Sequence, residues 1–157
     1  MNLDFAFVIG PNDTQCARVG EVIHRATPLG PLLIWQGQRQ LYETDLMYSV
    51  ERRAKTEDPG CIAVVILAPF TVASDGAETT CRAPAPYVSH LLGFFQARLP
   101  ASHLFVIRDE AVSDYWIDPA IHVTSLQDPN WRQFLGSGIR DIGVEVDFTG
   151  FGPQDGG

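Results

Sequence analysis

The chain has 157 residues, 45% of them apolar and 19% charged, with a formal net charge of −8. That length suits one domain burying about two-thirds of the surface its unfolded form exposes, and no apolar run approaches the ~18 residues of a membrane span. The negative charge opposes general attraction to nucleic acid or anionic lipid, although N–H groups at a helix start can still hold a small anion.

The run Asp4-Phe-Ala-Phe-Val-Ile-Gly10 is continuously apolar inside its ends and predicts a short strand buried on both faces. Gly10-Pro11 ends it. Asn12-Asp13-Thr14 then supplies N-cap chemistry for a helix reaching Ala26, with Ala17, Val19, Val22 and Ile23 on its apolar side. Two prolines in Thr27-Pro-Leu-Gly-Pro31 stop that helix, and Leu32-Leu-Ile-Trp35 reads as a second buried strand. After the polar loop 36–40, a second helix is expected over 42–55, with Leu46, Met47 and Val50 facing the core. Glu57-Asp-Pro-Gly60 turns into Cys61-Ile-Ala-Val-Val-Ile-Leu67, the strongest strand signal in the chain.

The stretch 75–86, with Gly76, Pro84 and Pro86, predicts a surface loop, as does 109–118. Between them, Val88, Leu91, Leu92, Phe95 and Leu99 mark one buried stripe of a helix over 87–99, followed by the strand Leu104-Phe-Val-Ile107. Asp128 and Pro129 read as the N-cap and first turn of a last helix. Residues 144–147 are expected as an edge strand or an extended tail. Continuous apolar strands alternating with amphipathic helices predict a three-layer α/β domain with a mainly parallel sheet of about five strands, flavodoxin-like in outline. The domain is expected to span 1–148, with 149–157 a flexible tail.

Few residues carry obvious chemistry. Cys16, Cys61 and Cys81 form no C-x-x-C pair, and His24, His90, His103 and His122 are isolated, so neither a disulfide framework nor a metal site is expected. Cys16 and His90 read as structural, and there is no G-x-S-x-G elbow, P-loop or G-x-G-x-x-G fingerprint. Ile9-Gly-Pro-Asn-Asp-Thr14 combines a strand end, a glycine and a helix start, the parts from which a phosphate or ribose site is built and also the parts of an ordinary capped turn. Ala68-Pro-Phe-Thr71 is expected as a proline-set turn beside it, with Thr71 facing a ligand or simply closing the turn. Met-Asn-Leu-Asp at the start carries an acid where a signal peptide is basic, which predicts no export signal and a cytoplasmic location.

Four stretches carry a family resemblance. Phe7-Val-Ile-Gly-Pro-Asn-Asp13 is similar to a first strand with an H-G-x-D-type loop, and Ile62-Ala-Val-Val-Ile-Leu-Ala-Pro69 to a central strand with its turn. Residues 87–107 resemble an N-V-x-x-E-L-G-L-F-x-G-R-L helix with the strand after it, and 131–147 a closing helix with a G-x-x-V-D end. Together they resemble the bacterial TIR-like nucleotide-binding domain family, found as effectors in STING- and cyclic-nucleotide-linked anti-phage systems. The resemblance implies cleavage of NAD+ at the nicotinamide glycosidic bond, or signalling through assembly.

Matching Leu92-Gly93 to the family L-G puts Leu91 on the family glutamate and Tyr87 on its asparagine, while Ile9 or Gly10 replaces the loop histidine. A leucine neither accepts bonds from ribose hydroxyls nor stabilises charge developing on the sugar. The expectation is therefore a degenerate module, a pseudoenzyme that binds a nucleotide or self-assembles, with Gly10, Asn12, Asp13, Thr71 and Tyr87 lining its cleft. It needs no resident cofactor, and NAD+ or a cyclic nucleotide is the expected ligand. Its expected protein partners are further copies of itself or a defence-system protein. The alternatives are an NAD+ glycohydrolase with a carboxylate relocated to Glu43 or Asp45, and a structural adaptor without a ligand.

Overall fold

Seven consecutive apolar residues, Cys61–Leu67, cannot leave either face of a strand in water, and they sit at the centre of the sheet with every side chain at 0% exposure. The computed structural model describes residues 3–35, 44–74, 76–112 and 117–151. In chain order these form β1 (Phe5–Gly10), α1 (Asp13–Ala26), β2 (Gly30–Trp35), α2 (Thr44–Arg53) and β3 (Cys61–Leu67). There follow β4 (Pro69–Ser74), β5 (Ala77–Pro84), α3 (Pro86–Arg98), β6 (Leu104–Arg108), β7 (His122–Ser125) and α4 (Trp131–Asp141).

The main sheet has five strands in the order β2-β1-β3-β6-β7, and every pairing is parallel. This is the expected α/β architecture with helices on both faces. Phe7, Ile9, Ala63, Val65, Leu67 and Val106 face one core, where α3 contributes Val88, Leu91, Leu92 and Phe95. Ala6, Val8, Val64, Ile66, Phe105 and Ile107 face the other, covered by Cys16, Val19 and Ile23 of α1 and by Trp131, Leu135 and Ile139 of α4. Alternation along a strand divides the apolar residues between two cores, so the inner strands β1 and β3 are apolar throughout.

Two glycines bring α4 close to the sheet and to the chain end. A Cβ on Gly138 would collide with the Phe105 ring, and one on Gly136 would come within 2.6 Å of Phe151. Without side chains there, the helix backbone closes onto the aromatic rings below it.

Several expectations are corrected. The segment 75–86 is not a loop: β4 and β5 form an antiparallel hairpin, with Thr71 opposite Thr80 and Ser74 opposite Ala77. Gly76 sits in its turn at φ +78, a left-handed conformation that glycine adopts without strain. The expected turn at 68–71 is likewise the start of β4, with a register shift between Pro69 and Phe70. The edge strand beyond β6 is β7, not 144–147, which has no regular structure. His122, polar in sequence, lies in β7 with its ring stacked on Phe105 at 4.8 Å.

The last helix starts at Trp131 rather than at Pro129, because Asp128 turns inward on its own loop. Its Oδ1 accepts from the Asn130 N–H at 2.8 Å and its carbonyl from the Trp131 N–H at 3.2 Å. Of the predicted second helix, residues 42–43 lie outside the described residues, as does part of the loop 109–118.

Ordered packing also passes the expected boundary at 148. The Asp147 N–H donates to the Ala26 carbonyl at 2.7 Å, and Phe148–Phe151 form a 3-10 turn in which Phe151 is 8% exposed. Phe148 meets Phe151 edge-on at 5.4 Å, and Gly150 lies so near the end of α1 that a Cβ would reach 2.7 Å from the Arg25 carbonyl. Residues 152–157 of the expected tail lie outside the described residues. Phe151→Ala should lower stability by about 3 kcal/mol, the cost of removing a buried aromatic ring. Urea unfolding monitored by circular dichroism checks this, and a change near zero would contradict the docking.

Candidate functional site

In an open parallel sheet, the crevice lies outside the carboxyl ends of the strands, where connections leave to opposite faces. Here the switch falls between β1 and β3, which pair directly, Ile9 opposite Val65. From β1 the chain enters α1 on one face, and from β3 it enters the β4–β5 hairpin and then α3 on the other.

Gly10 is buried at the end of β1, and a Cβ there would come within 2.8 Å of the Cys16 Sγ and 3.2 Å of the Ile66 Cδ1. Its bareness lets α1 close down on the sheet. Asn12 is the N-cap of α1, its Oδ1 accepting from the Gln15 N–H at 2.9 Å. The ordinary reading of these two residues, packing and capping, is thus realised in the fold. Asp13 opens the helix in an exposed position, where a negative charge complements the helix dipole.

Thr71 is exposed on β4, its hydroxyl 3.5 Å from that of Thr80 across the hairpin. Tyr87 is half-buried in the first turn of α3, packed against the core on that side, with its ring 6.4 Å from the His90 ring. Gly10, Asn12 and Asp13 are contiguous at the mouth of β1. Tyr87 belongs to the opposite helical layer and Thr71 to the hairpin, so the five residues come from three separate parts of the fold. Leu91 is at 0% exposure in the α3 stripe, among the largest fully buried side chains. Asp45 lies in α2, while Glu43 is outside the described residues.

Cys16 is no nucleophile in this setting. Burial, together with the nearby Asp13 charge, pushes its thiol up to about 12, and its Sγ lies 3.6 Å from the Ile34 carbonyl. Burial likewise pushes Cys61 up to about 12, Arg53 partly opposing and Asp4 adding. A thiol needs a cationic or helix-start environment to ionise, and burial in an apolar layer overrides the position of Cys16 near a helix start. Among the described residues no three His, Cys, Asp or Glu side chains gather as a metal site would require.

Features beyond the expected residues lie on the β6–β7 side. A cavity of about 480 Å³ follows the outer edge of β7, lined by Arg108, Asp118, Ile121, His122 and Phe134 among others. A smaller one, about 210 Å³, lies at the ends of β6 and β7 between Arg108, Glu110, Thr124 and Ser125. At the start of α4 two cations converge on one aromatic ring: the Cζ of Arg18 is 5.7 Å, and that of Arg132 5.1 Å, from the centre of Trp131. The one sequence signal for this cluster is Trp131-Arg132 directly after Asp128-Pro-Asn130, a cation in a first turn where an acid is the usual choice.

Comparison with models of known protein families, with curated proteins and with solved structures finds no match to this chain.

The thiol environments set distinct reactivities. In the native protein at pH 8, a thiol reagent should label the half-buried Cys81 first, with Cys16 and Cys61 reacting only on unfolding. Peptide mass spectrometry over a time course checks this, and rapid labelling of Cys16 would contradict its packing.

Proposed function

We propose that the chain is a degenerate TIR-like nucleotide-binding module of bacterial anti-phage defence, acting in the cytoplasm as an assembling copy or with a defence-system partner. The observation that supports this reading is the sheet order β2-β1-β3-β6-β7, whose switch point lies at the glycine-and-cap loop named by the family resemblance. The buried Leu91 supports the degenerate part of it, because no carboxylate stands at that place on α3 to stabilise a ribosyl cation.

In this reading the ligand's oxygens meet the first turn of α1. The Asn12 cap takes the Gln15 N–H and leaves the Asp13 and Thr14 N–H groups at the helix start without acceptors among the described residues. Tyr87 of α3 and Thr71 of the hairpin are the residues this reading assigns to the ligand's other side. NAD+ or a cyclic nucleotide binds as a signal and leaves unchanged.

Titration of the purified protein with NAD+ and with a cyclic dinucleotide, read by thermal unfolding and by sedimentation, tests the proposal. A saturable rise in Tm is expected, corresponding to about 2.7 kcal/mol at a hundredfold excess over Kd. Asp13→Lys should alter that response and lower the unliganded Tm by a few degrees, the cost of reversing a charge at the helix start. Release of nicotinamide would instead favour a glycohydrolase with a relocated carboxylate. No nucleotide response from a strict monomer would overturn the reading.

A further inference from the structure

Arg132, the second residue of α4, is only 8% exposed, and its Nε is buried with no hydrogen-bond partner. Its guanidinium lies against the Trp131 ring and meets no carboxylate among the described residues. A buried charge without a counter-charge is costly, more so than a π contact offsets.

The other charged group over the same ring has the same sign. Arg18 reaches the same ring from α1, and α4 presents the positive end of its dipole here. The helix has no side-chain cap and no acid in its first turn. The N–H groups of Arg132 and Gln133 have no acceptor among the described residues, while Asp128, the acid just upstream, bonds its Oδ1 to the Asn130 N–H. Two guanidinium groups and a helix start with unbonded N–H groups thus meet at one ring, and the buried, unpartnered Nε of Arg132 is what distinguishes it from an ordinary helix start.

We infer that the start of α4 binds the phosphoryl group of a small phosphate compound, the Arg132 guanidinium and the Arg132 and Gln133 N–H groups donating to its oxygens. A guanidinium fork beside unbonded N–H groups of a helix start is the donor set that the several oxygens of a phosphoryl group take. Trp131 is 2% exposed and has guanidinium groups at its ring, which leaves no face on which a base can stack. Recognition at this point is of the phosphoryl group alone. The site is built from α4 and α1 side chains other than the five around the β1–β3 mouth, so it stands or falls separately from the nucleotide reading.

Thermal unfolding at constant ionic strength, with inorganic phosphate, pyrophosphate, ribose 5-phosphate and adenosine as probes, tests the inference. The phosphate-bearing probes should raise Tm and adenosine should not. A response to ribose 5-phosphate well above that to inorganic phosphate assigns an ester as the natural ligand, and equal responses assign free phosphate. Arg132→Met keeps the stem and removes the charge. It should weaken phosphate binding at least tenfold, yet leave the phosphate-free Tm equal to or above that of the wild type, which a merely structural arginine would not do. If Arg132→Met does not fold, the wild-type protein still decides by NMR. The Arg132 Nε–H resonance should shift as pyrophosphate is added and stay fixed when chloride replaces it. A resonance unmoved by pyrophosphate, or an undiminished phosphate response in Arg132→Met, overturns the inference.

Discussion

The complete burial of β3 is the constraint from which the other elements take their places. Each of its seven residues is at 0% exposure, so both faces of the sheet must be roofed and both flanks paired. Alternating side chains send Ala63, Val65 and Leu67 into one core and Ile62, Val64 and Ile66 into the other. Parallel neighbours can be supplied only through crossovers, and the crossovers are what bring α1 and α3 onto opposite faces. A polar residue within Cys61–Leu67 would leave one layer with an unpaired group and nothing to solvate it.

The same constraint organises the end of the molecule where loops carry chemistry. With the sheet interior filled by side chains, the carboxyl edge of the strands is where backbone N–H groups, helix starts and polar side chains can meet solvent together. Gly10, Asn12 and Asp13 stand there at the start of α1, and Trp131 and Arg132 at the start of α4. Arg18 links the two, since it belongs to α1 and lies over a ring of α4. One helix start carries a side-chain cap from Asn12 and an acid in its first turn, and the other carries neither.

What could be read in advance followed from how local the determining physics is. The strands β1 and β3 and the helices α1 and α3 declare themselves because their apolar runs and stripes exceed what a loop would carry, and β3 falls on its predicted bounds. The hairpin was hidden because most of β5 is exposed, so no apolar pattern marks it, and its prolines and glycine look like a loop. The Asp75-Gly76 pair is a hairpin signal in the sequence. Likewise β7, His-Val-Thr-Ser, owes its strand state to pairing with β6 and to the stacking of His122 on Phe105, neither of which has a local signature. At the candidate site, Asn12 was legible as a cap from its neighbours alone. The burial of Arg132 was not, because it depends on elements more than a hundred residues apart in the chain, such as Arg18 on α1.

The two glycines of α4 bring the helix down onto Phe105 and Phe151, and they also set when that helix exists. Eleven residues containing Gly136 and Gly138 fall well short of what holds a helix together in isolation, each glycine weakening it by about 1 kcal/mol relative to alanine. Helix α4 is therefore a product of the finished sheet: during synthesis it cannot form before β6 offers Phe105 and α1 offers its flank. Order at the carboxyl end of the chain is borrowed from order at the amino end. Held by its contacts with β6 and α1 more than by its own propensity, α4 opens when those contacts do, and a ligand at its start would tighten them.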